Sequence, residues 1–400
     1  MTTLAGFFSE ANSVSPLLRL EAKRLGCSVL SIADDSVAEL GRKNFGRCIQ
    51  LCSVLLELCW EKLNTGHWKD VPVAWRRLYS SASLLKALAL AAQQAYKESL
   101  IAADMGLLMG APILDNILAK LASVLHRELA PEFSDSAESI PAKKQRLLKP
   151  IVVESDSALP PEQQIQRVSS PDVFEFLTDY FLPQKPVILT NVLEHWPARQ
   201  KWNIEYMRQI ARYRTVPVEI GSRYTADNWS QKLITVQQFI ENYVQPDATE
   251  VGYLAQHQLF DQIPELREDF CTPDYCFVAG QSAREESVEV NAWFGPASTV
   301  SPLHQDPRNN LLAQVFGSKY IRLIDLKYTD SVYPFVDGML TNTSQVDTEK
   351  PDLEQFPKFR EVPFEECTLC PGEMLFIPKK WWHFVKSLEP SFSISFWFGD

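Results

Sequence analysis

Residues 301–310 read SPLHQDPRNN and set a histidine and an aspartate two positions apart, at His304 and Asp306. Side chains two apart on an extended chain share a face, so an imidazole nitrogen and a carboxylate can meet one metal ion. A structural His–Asp hydrogen bond gives the same spacing, and the pair alone does not separate the two. His383, in PGEMLFIPKKWWHFV, supplies a third donor. Two histidines and one carboxylate leave open positions on non-haem Fe(II) for a chelating cosubstrate and O2. Lys319, in VFGSKYIRLID, follows a glycine turn and opens a strand with apolar neighbours. Its ammonium is expected to point inward and to need an anionic partner, which the distal carboxylate of 2-oxoglutarate provides.

Donors this far apart in sequence need a closed scaffold to bring them together. From about residue 167 the chain runs in short stretches rich in Val, Ile, Phe and Trp, among them PVILTNV, TVPVEIGS, SVEVNAWFG, EMLFIPKKWWHFVKSL and SFSISFWFG. Alternation at this spacing predicts a β-barrel or sandwich, with helices such as DVFEFLTDYFL and VQQFIENYV packed on it. Pro371-Gly372 marks a turn before the strand that leads to His383. The first part differs. CIQLCSVLLELCWEKLN, AWRRLYSSASLLKALALAAQQAYKESLIAADMG and APILDNILAKLASVLHREL repeat apolar residues at three and four positions, which predicts packed helices. Between the two, PEFSDSAESIPAKKQRLLKPIVVESDSALPPEQQ is rich in Pro, Ser, Glu and Lys and reads as a linker. The expected class is α+β, with an all-helical domain at 1–130, a flexible linker at 131–166 and a β-barrel domain with packed helices at 167–400. Lys143, Lys144 and Arg146 in the linker either direct nuclear import or are simply solvated.

Fifty acidic residues against 39 basic ones, a net charge of −11, argue against direct nucleic-acid binding through a broad phosphate-neutralising surface. They favour a basic protein or peptide as the charged partner. No run reaches the roughly 18 apolar residues of a membrane span, and MTTLAGFFSEANSVSPLLRL lacks a signal-peptide pattern, so an intracellular protein without a membrane partner is expected. Eight cysteines in 400 residues do not suggest a disulfide framework. Cys27, Cys48, Cys52 and Cys59 lie in apolar helical runs and are expected to be buried thiols. Cys271, Cys276, Cys367 and Cys370 have a spacing that zinc uses, but the odd interval between the last two puts them on opposite faces of a strand. His67 and His126 are expected at surface or capping positions.

Together, SPLHQDP, GSKYIRL, PGEMLFIPKKWWH and the closing SFSISFWFGD resemble, in content and order, the Jumonji-C (cupin-8 type) Fe(II)- and 2-oxoglutarate-dependent oxygenases, over roughly Val168 to Asp400. The resemblance implies a double-stranded β-helix of the jelly-roll or cupin kind, with His304, Asp306 and His383 as catalytic iron ligands and Lys319 as the partner of the 2-oxoglutarate C5 carboxylate. It implies that Tyr253, Ser301, Asn310 and Trp397 line the cosubstrate. The expected activity consumes O2, releases succinate and CO2, and hydroxylates an arginyl side chain in a protein substrate. Glu219, in TVPVEIGSRY, can pair with a guanidinium, and Trp293, in NAWFGP, can wall the same cation. Demethylation of methyl-lysine on histone H3 and cleavage of histone tails are alternatives, both in chromatin regulation. No Ser/His/Asp or Cys/His arrangement supports the cleavage. A non-catalytic adaptor is the alternative of another class, and the intact triad and Lys319 argue against it. The resemblance also suggests a nuclear protein, present in the cytoplasm as well, that acts in transcription and the cell cycle and meets protein partners through its helical half.

Overall fold

A computed structural model describes residues 4–66, 70–130, 160, 163–221, 223–226, 229–246, 248–278 and 288–399. His67 and nearly all of the expected linker, with Lys143, Lys144 and Arg146, lie outside these residues.

The first part of the chain folds into helices α1 (Leu4–Leu25), α2 (Cys27–Gly41), α3 (Phe45–Leu63), α4 (Val73–Ala92), α5 (Tyr96–Met109) and α6 (Ile117–Leu129). The run that reads as one long helical stretch breaks at Gln93–Ala95. There Gln94 takes φ 62, and α5 folds back on α4. Small residues make that return tight. A Cβ at Gly106 of α5 would lie 2.6 Å from the Ser83 Cβ and 2.8 Å from Leu118 Cδ1. Ser80 of α4 ties down the end of α5, its Oγ accepting from Ala111 N at 2.9 Å. Cys48, Cys52 and Cys59 are buried in the core formed by α1 to α4, whereas Cys27 is exposed. Cys27 opens α2 on the side away from its buried stripe of Val29, Ala33 and Ser36, so helical phase overrides its apolar neighbours. His126 is buried as well, rather than at the surface or in a cap. Its ring packs 5.9 Å from that of Tyr213, and burial pushes its pKa down to about 4.

The second part carries strands β1 (Arg167–Ser169), β2 (Val187–Thr190), β3 (Thr215–Ile220), β4 (Ser230–Thr235), β5 (Gly252–His257), β6 (Glu289–Gly295), β7 (Val300–Gln305), β8 (Asn309–Phe316), β9 (Lys319–Ile324), β10 (Glu365–Leu369), β11 (Met374–Ile377), β12 (Trp382–Ser387) and β13 (Ser391–Phe398). They form one sheet in the order β1-β2-β11-β8-β13-β6-β5-β3-β4 and a second in the order β10-β9-β12-β7. The architecture is therefore α+β, helices first and barrel second, as the sequence predicts.

The pleat gives each strand of the large sheet two jobs. In β13, Phe392, Ile394, Phe396 and Phe398 face an outer core with Phe176, Trp196, Trp202 and Phe239. The intervening Ser393 faces inward, where its Oγ donates to Gln314 Oε1 at 2.7 Å. Leu312 of β8 and Leu375 and Ile377 of β11 meet Ile321 and Leu323 of β9 in an inner core between the sheets. The helical turns Val173–Phe176 and Val236–Phe239, each continued by a π turn, cover the outer face. A capping box starts the second: Thr235 Oγ1 accepts from Gln238 N while the Gln238 side chain accepts from Thr235 N.

Gly106→Ala should destabilise the helical half by about 1–3 kcal/mol, the usual cost of overpacking a closed interface. Chemical denaturation of the full chain measures it, and an unchanged midpoint would contradict the close α4–α5 packing.

Candidate active site

Strands β7 and β12 are antiparallel neighbours, and their register sets His304 directly opposite His383. The two rings lie 4.1 Å apart, centroid to centroid. Asp306 follows the end of β7 and is held there by Lys380 N donating to its carbonyl at 2.8 Å. Its Oδ2 is 3.4 Å from His383 Nε2, and its Oδ1 is 3.9 Å from His304 Nε2. One donor atom from each residue falls within 4.8 Å of the others, and among the described residues no other cluster of His, Cys, Asp or Glu does so. Cys271, Cys276, Cys367 and Cys370 form no such group. Cys276 and Cys367 are buried in different cores, outer and inner.

The tautomers follow from the backbone. His304 Nδ1 lies 2.7 Å from the Pro302 carbonyl and His383 Nδ1 lies 3.0 Å from the Trp381 carbonyl. A carbonyl only accepts, so each Nδ1 carries a proton and each Nε2 faces the common point. Burial, with the charge of His383 adding to it, pushes the His304 pKa down to about 4. Burial alone would raise Asp306, but the hydrogen bond and charge of His383 outweigh it and hold the carboxyl below its ordinary value. Two Nε2 atoms and a carboxylate aimed at one point make a donor set that fits Fe(II), which would take the place of the His383 Nε2 proton.

A cavity of about 30 Å³ adjoins the triad, walled by Tyr253, Trp293, Ser301, Asn310 and Lys319. Sequence parity puts Ser301 and His304 on opposite faces of β7. The register against β12 shifts between His383 and Val385, and this bulge lets both face inward. Lys319 is 1% exposed. Its Nζ donates to the Tyr253 hydroxyl at 3.2 Å, and burial pushes its pKa down to about 7. Asn310 Oδ1 and Trp397 Nε1 are buried without a hydrogen-bond partner. Trp397 stands opposite Asn310 across β13 and β8, so the two unmatched groups are neighbours behind the cavity. Buried polar groups are normally satisfied; here a buried ammonium in the cavity wall and an unmatched indole N–H near it suit an anionic chelator.

Glu219 of β3 stands directly opposite Tyr253 of β5. Burial raises its pKa, and Trp229 Nε1 donates to its carboxylate at 3.3 Å. Trp293 is in the cavity wall instead, its Nε1 donating to Ser395 Oγ at 2.9 Å and its ring 6.0 Å from that of Tyr253. Tyr253 thus stands between Glu219 and Trp293, and the indole that touches Glu219 is Trp229. Tyr224 lies nearby in the same β3–β4 connection, its hydroxyl 3.1 Å from Thr343 Oγ1. Thr343 in turn bridges His304. Neither Trp229 nor Tyr224 stands out in the sequence reading, because both fall outside the alternating strands. The available signal was two aromatic residues in a short polar loop, SRYTADNWS.

A preformed triad predicts that one divalent cation per chain stabilises the metal-free protein. Mn(II) at 100 times its Kd contributes about 2.7 kcal/mol, which should raise the melting temperature by roughly 5–10 °C. Asp306→Ala should abolish the shift, and an equal shift in that variant would remove Asp306 from the metal site.

Residues 173–400 match the family of cupin-like domains, and residues 45–138 match the KDM8-like N-terminal ARM repeats. The chain is 42% identical to lysine-specific demethylase 8 of Xenopus tropicalis, over 93% of its own length and 94% of the relative's. It is 47% identical to lysine-specific demethylase 8 of Danio rerio, over 86% of each. Identity to Jumonji C domain-containing protein 5 of Drosophila melanogaster is 38%, over 87% of the chain and 86% of that protein. With a cupin-like barrel that holds this triad and helical repeats of the same kind before it, the chain belongs to the JmjC Fe(II)- and 2-oxoglutarate-dependent oxygenases of the lysine-specific demethylase 8 type.

Proposed function

We propose that this oxygenase hydroxylates an arginyl side chain in a protein or peptide, with His304, Asp306 and His383 as the ligands of Fe(II). The observation that carries the reading is the Glu219 carboxylate. It is shielded enough for burial to raise its pKa, and its one hydrogen bond among the described residues is a long one from Trp229 Nε1. A carboxylate so placed is short of donors, and a guanidinium offers two in parallel. A methylated ammonium offers fewer with each methyl group and cannot fork.

Fe(II) with 2-oxoglutarate and O2 supplies an oxidant strong enough for an unactivated C–H bond, with succinate and CO2 as co-products. This chain's own residues bind and orient. Lys319 neutralises the distal carboxylate of 2-oxoglutarate, with the Tyr253 hydroxyl beside it. Trp397 offers its unmatched Nε1–H, Asn310 its side-chain amide N–H and Ser301 its hydroxyl to the same ligand. Leu312, Ile377 and Val385 keep water from that end of the cavity. Glu219 and Trp229 fix the head of the substrate side chain, and Trp293 walls the passage inward, so that one carbon is presented to the metal and others are not.

Methyl-lysine demethylation is the second reading, supported by the names of the relatives. The reading carries with it a catalytic domain at 167–400, a linker at 131–166, a helical region at 1–130 that meets protein partners, and a nuclear site of action. Mass spectrometry of arginine-containing and methyl-lysine peptides separates the two chemistries. A gain of about 16 Da on arginine is expected, and a loss of about 14 Da on methyl-lysine without any gain on arginine would overturn the proposal.

Two variants test the assigned roles. Lys319→Ala removes one partner of a buried charge pair, worth about 2–5 kcal/mol, so the 2-oxoglutarate requirement should rise by about 30-fold or more. In the unaltered chain only the ammonium form binds the dianion well. Because burial holds the free lysine near pH 7, affinity should fall as pH rises above 7, by up to about tenfold per unit, with a proton taken up on binding. Calorimetry in two buffers measures both, and pH-independent binding would remove Lys319 from the site. Glu219→Ala should lower arginine-peptide modification by a larger factor than uncoupled succinate formation. Equal losses would indicate a general defect rather than a substrate contact.

A further inference from the structure

Glu219 and Trp229 sit on the β3–β4 hairpin, at the end of the large sheet. The hairpin is well paired within itself, from Thr215 opposite Thr235 to Ile220 opposite Ser230. Its backbone pairing with the rest of the sheet is short, although Val216, Val218 and Ile220 bury their side chains in the outer core. Only Glu219 and Ile220 are in register with β5, with one further backbone bond from Gly221 N to Val251 O. Among the described residues, 216–218 pair with no strand on that side, and Pro217 has no amide to donate.

What holds that free end is Asp104, in the middle of α5. Its side chain is fully buried, as is that of Arg214 immediately before β3. Arg214 Nη2 and Nε donate to Asp104 Oδ1 at 2.7 and 3.0 Å. Thr215 N, the first amide of β3, donates to Oδ2 at 2.7 Å. Gln262 Nε2 donates to Oδ1 at 3.0 Å and to the Thr215 carbonyl at 2.7 Å. The same Gln262 meets His257 Nε2, at the end of β5, through its Oε1 at 2.7 Å. One carboxylate from the helical half thus gathers the starting end of β3 and the finishing end of β5. Four residues away along each strand, about 13 Å, stand Glu219 and Tyr253.

We infer that Asp104 is a positioning residue for substrate recognition: the helical half sets where the Glu219–Trp229 hairpin stands relative to the metal. This rests on the proposed role of Glu219 in taking the substrate cation. The outer core holds one face of β3 through Val216, Val218 and Ile220, but pairing with β5 is only two residues long, so the buried network at Thr215 supplies a second fixed point along the strand. The iron ligands and Lys319 are carried by β7, the turn after it, β9 and β12, none of which pairs with β3; β5 touches Lys319 through the Tyr253 hydroxyl.

The test compares full-length Asp104→Asn, Asp104→Ala and Glu219→Gln with the unaltered chain, by hydrogen–deuterium exchange and by peptide kinetics. Asp104→Asn keeps the side-chain volume and an acceptor for the Thr215 amide, so it serves if the alanine variant does not fold. In the Asp104 variants, amides of residues 215–235 should exchange faster while those of β7, β9 and β12 do not change. The KM for an arginine peptide should rise by about tenfold or more while uncoupled succinate formation stays within about twofold. Unchanged exchange in the hairpin would overturn the inference. So would faster exchange across the whole barrel with parallel loss of uncoupled turnover, since that marks general stability. A loosened hairpin with unchanged peptide KM, in a protein where Glu219→Gln raises KM, would overturn it too. If Glu219→Gln leaves KM unchanged, the role of Glu219 fails, and hairpin exchange still decides whether Asp104 is the anchor.

Discussion

Two imidazoles and a carboxylate meet inside a barrel walled by Leu, Ile and Val, and the rest of the molecule is built around the cost of keeping them there. Polar groups removed from water are unfavourable unless paired, and a buried charge without a partner is more so. The Pro302 and Trp381 carbonyls satisfy both Nδ1 atoms and so aim both Nε2 atoms at one point. That point is unfavourable for the protein alone and favourable with a cation in it. The buried ammonium of Lys319, depressed to about pH 7, repeats the same logic for an anion. Both are places where stability is given up for a ligand, which is how functional sites commonly differ from their surroundings.

The scaffold separates that polar interior from the part proposed to choose a substrate. Aromatic residues pack the outer face of the large sheet, with Phe270 in contact with Trp196, Trp202, Phe260 and Phe396. The inner face is then free to carry serine, asparagine and tryptophan toward the cavity. The Glu219–Trp229 hairpin stands at the end of the same sheet, seated on the outer core by Val216, Val218 and Ile220. The helical half reaches this edge through Asp104 and, separately, through Asn116 Nδ2 donating to the Asp261 carbonyl at 2.8 Å. Recognition and chemistry are in this way carried by neighbouring but differently supported elements.

Much of this was legible in the sequence, for physical reasons. The triad, Lys319 and the Pro371-Gly372 turn could be read because strand alternation and turn chemistry are local rules. The α+β division could be read because apolar periodicity changes from three and four to two. Ser301 could be placed only by resemblance, since strict alternation points it away from His304 until the bulge in β7 is known. Trp229 was missed because a loop residue has no periodicity to betray it. Asp104 and Arg214 were missed because they are 110 residues apart, and a lone acid in LIAADMGLL gives no hint of a partner in another part of the chain. Cys27 and His126 were misjudged for one reason: composition around a residue says less about its burial than the helical face on which it falls.

In the proposed site, metal and 2-oxoglutarate share one cavity in this barrel, the triad at one end and Lys319 at the other. The most direct measurement is anaerobic equilibrium binding of 2-oxoglutarate to the full chain, with and without Fe(II). One molecule per chain should bind tightly only when the metal is present, with a visible charge-transfer absorption that saturates at the same point. Equally tight binding without metal, or a tight Fe(II)-dependent complex that gives no such absorption, would contradict a chelate formed between the triad and Lys319.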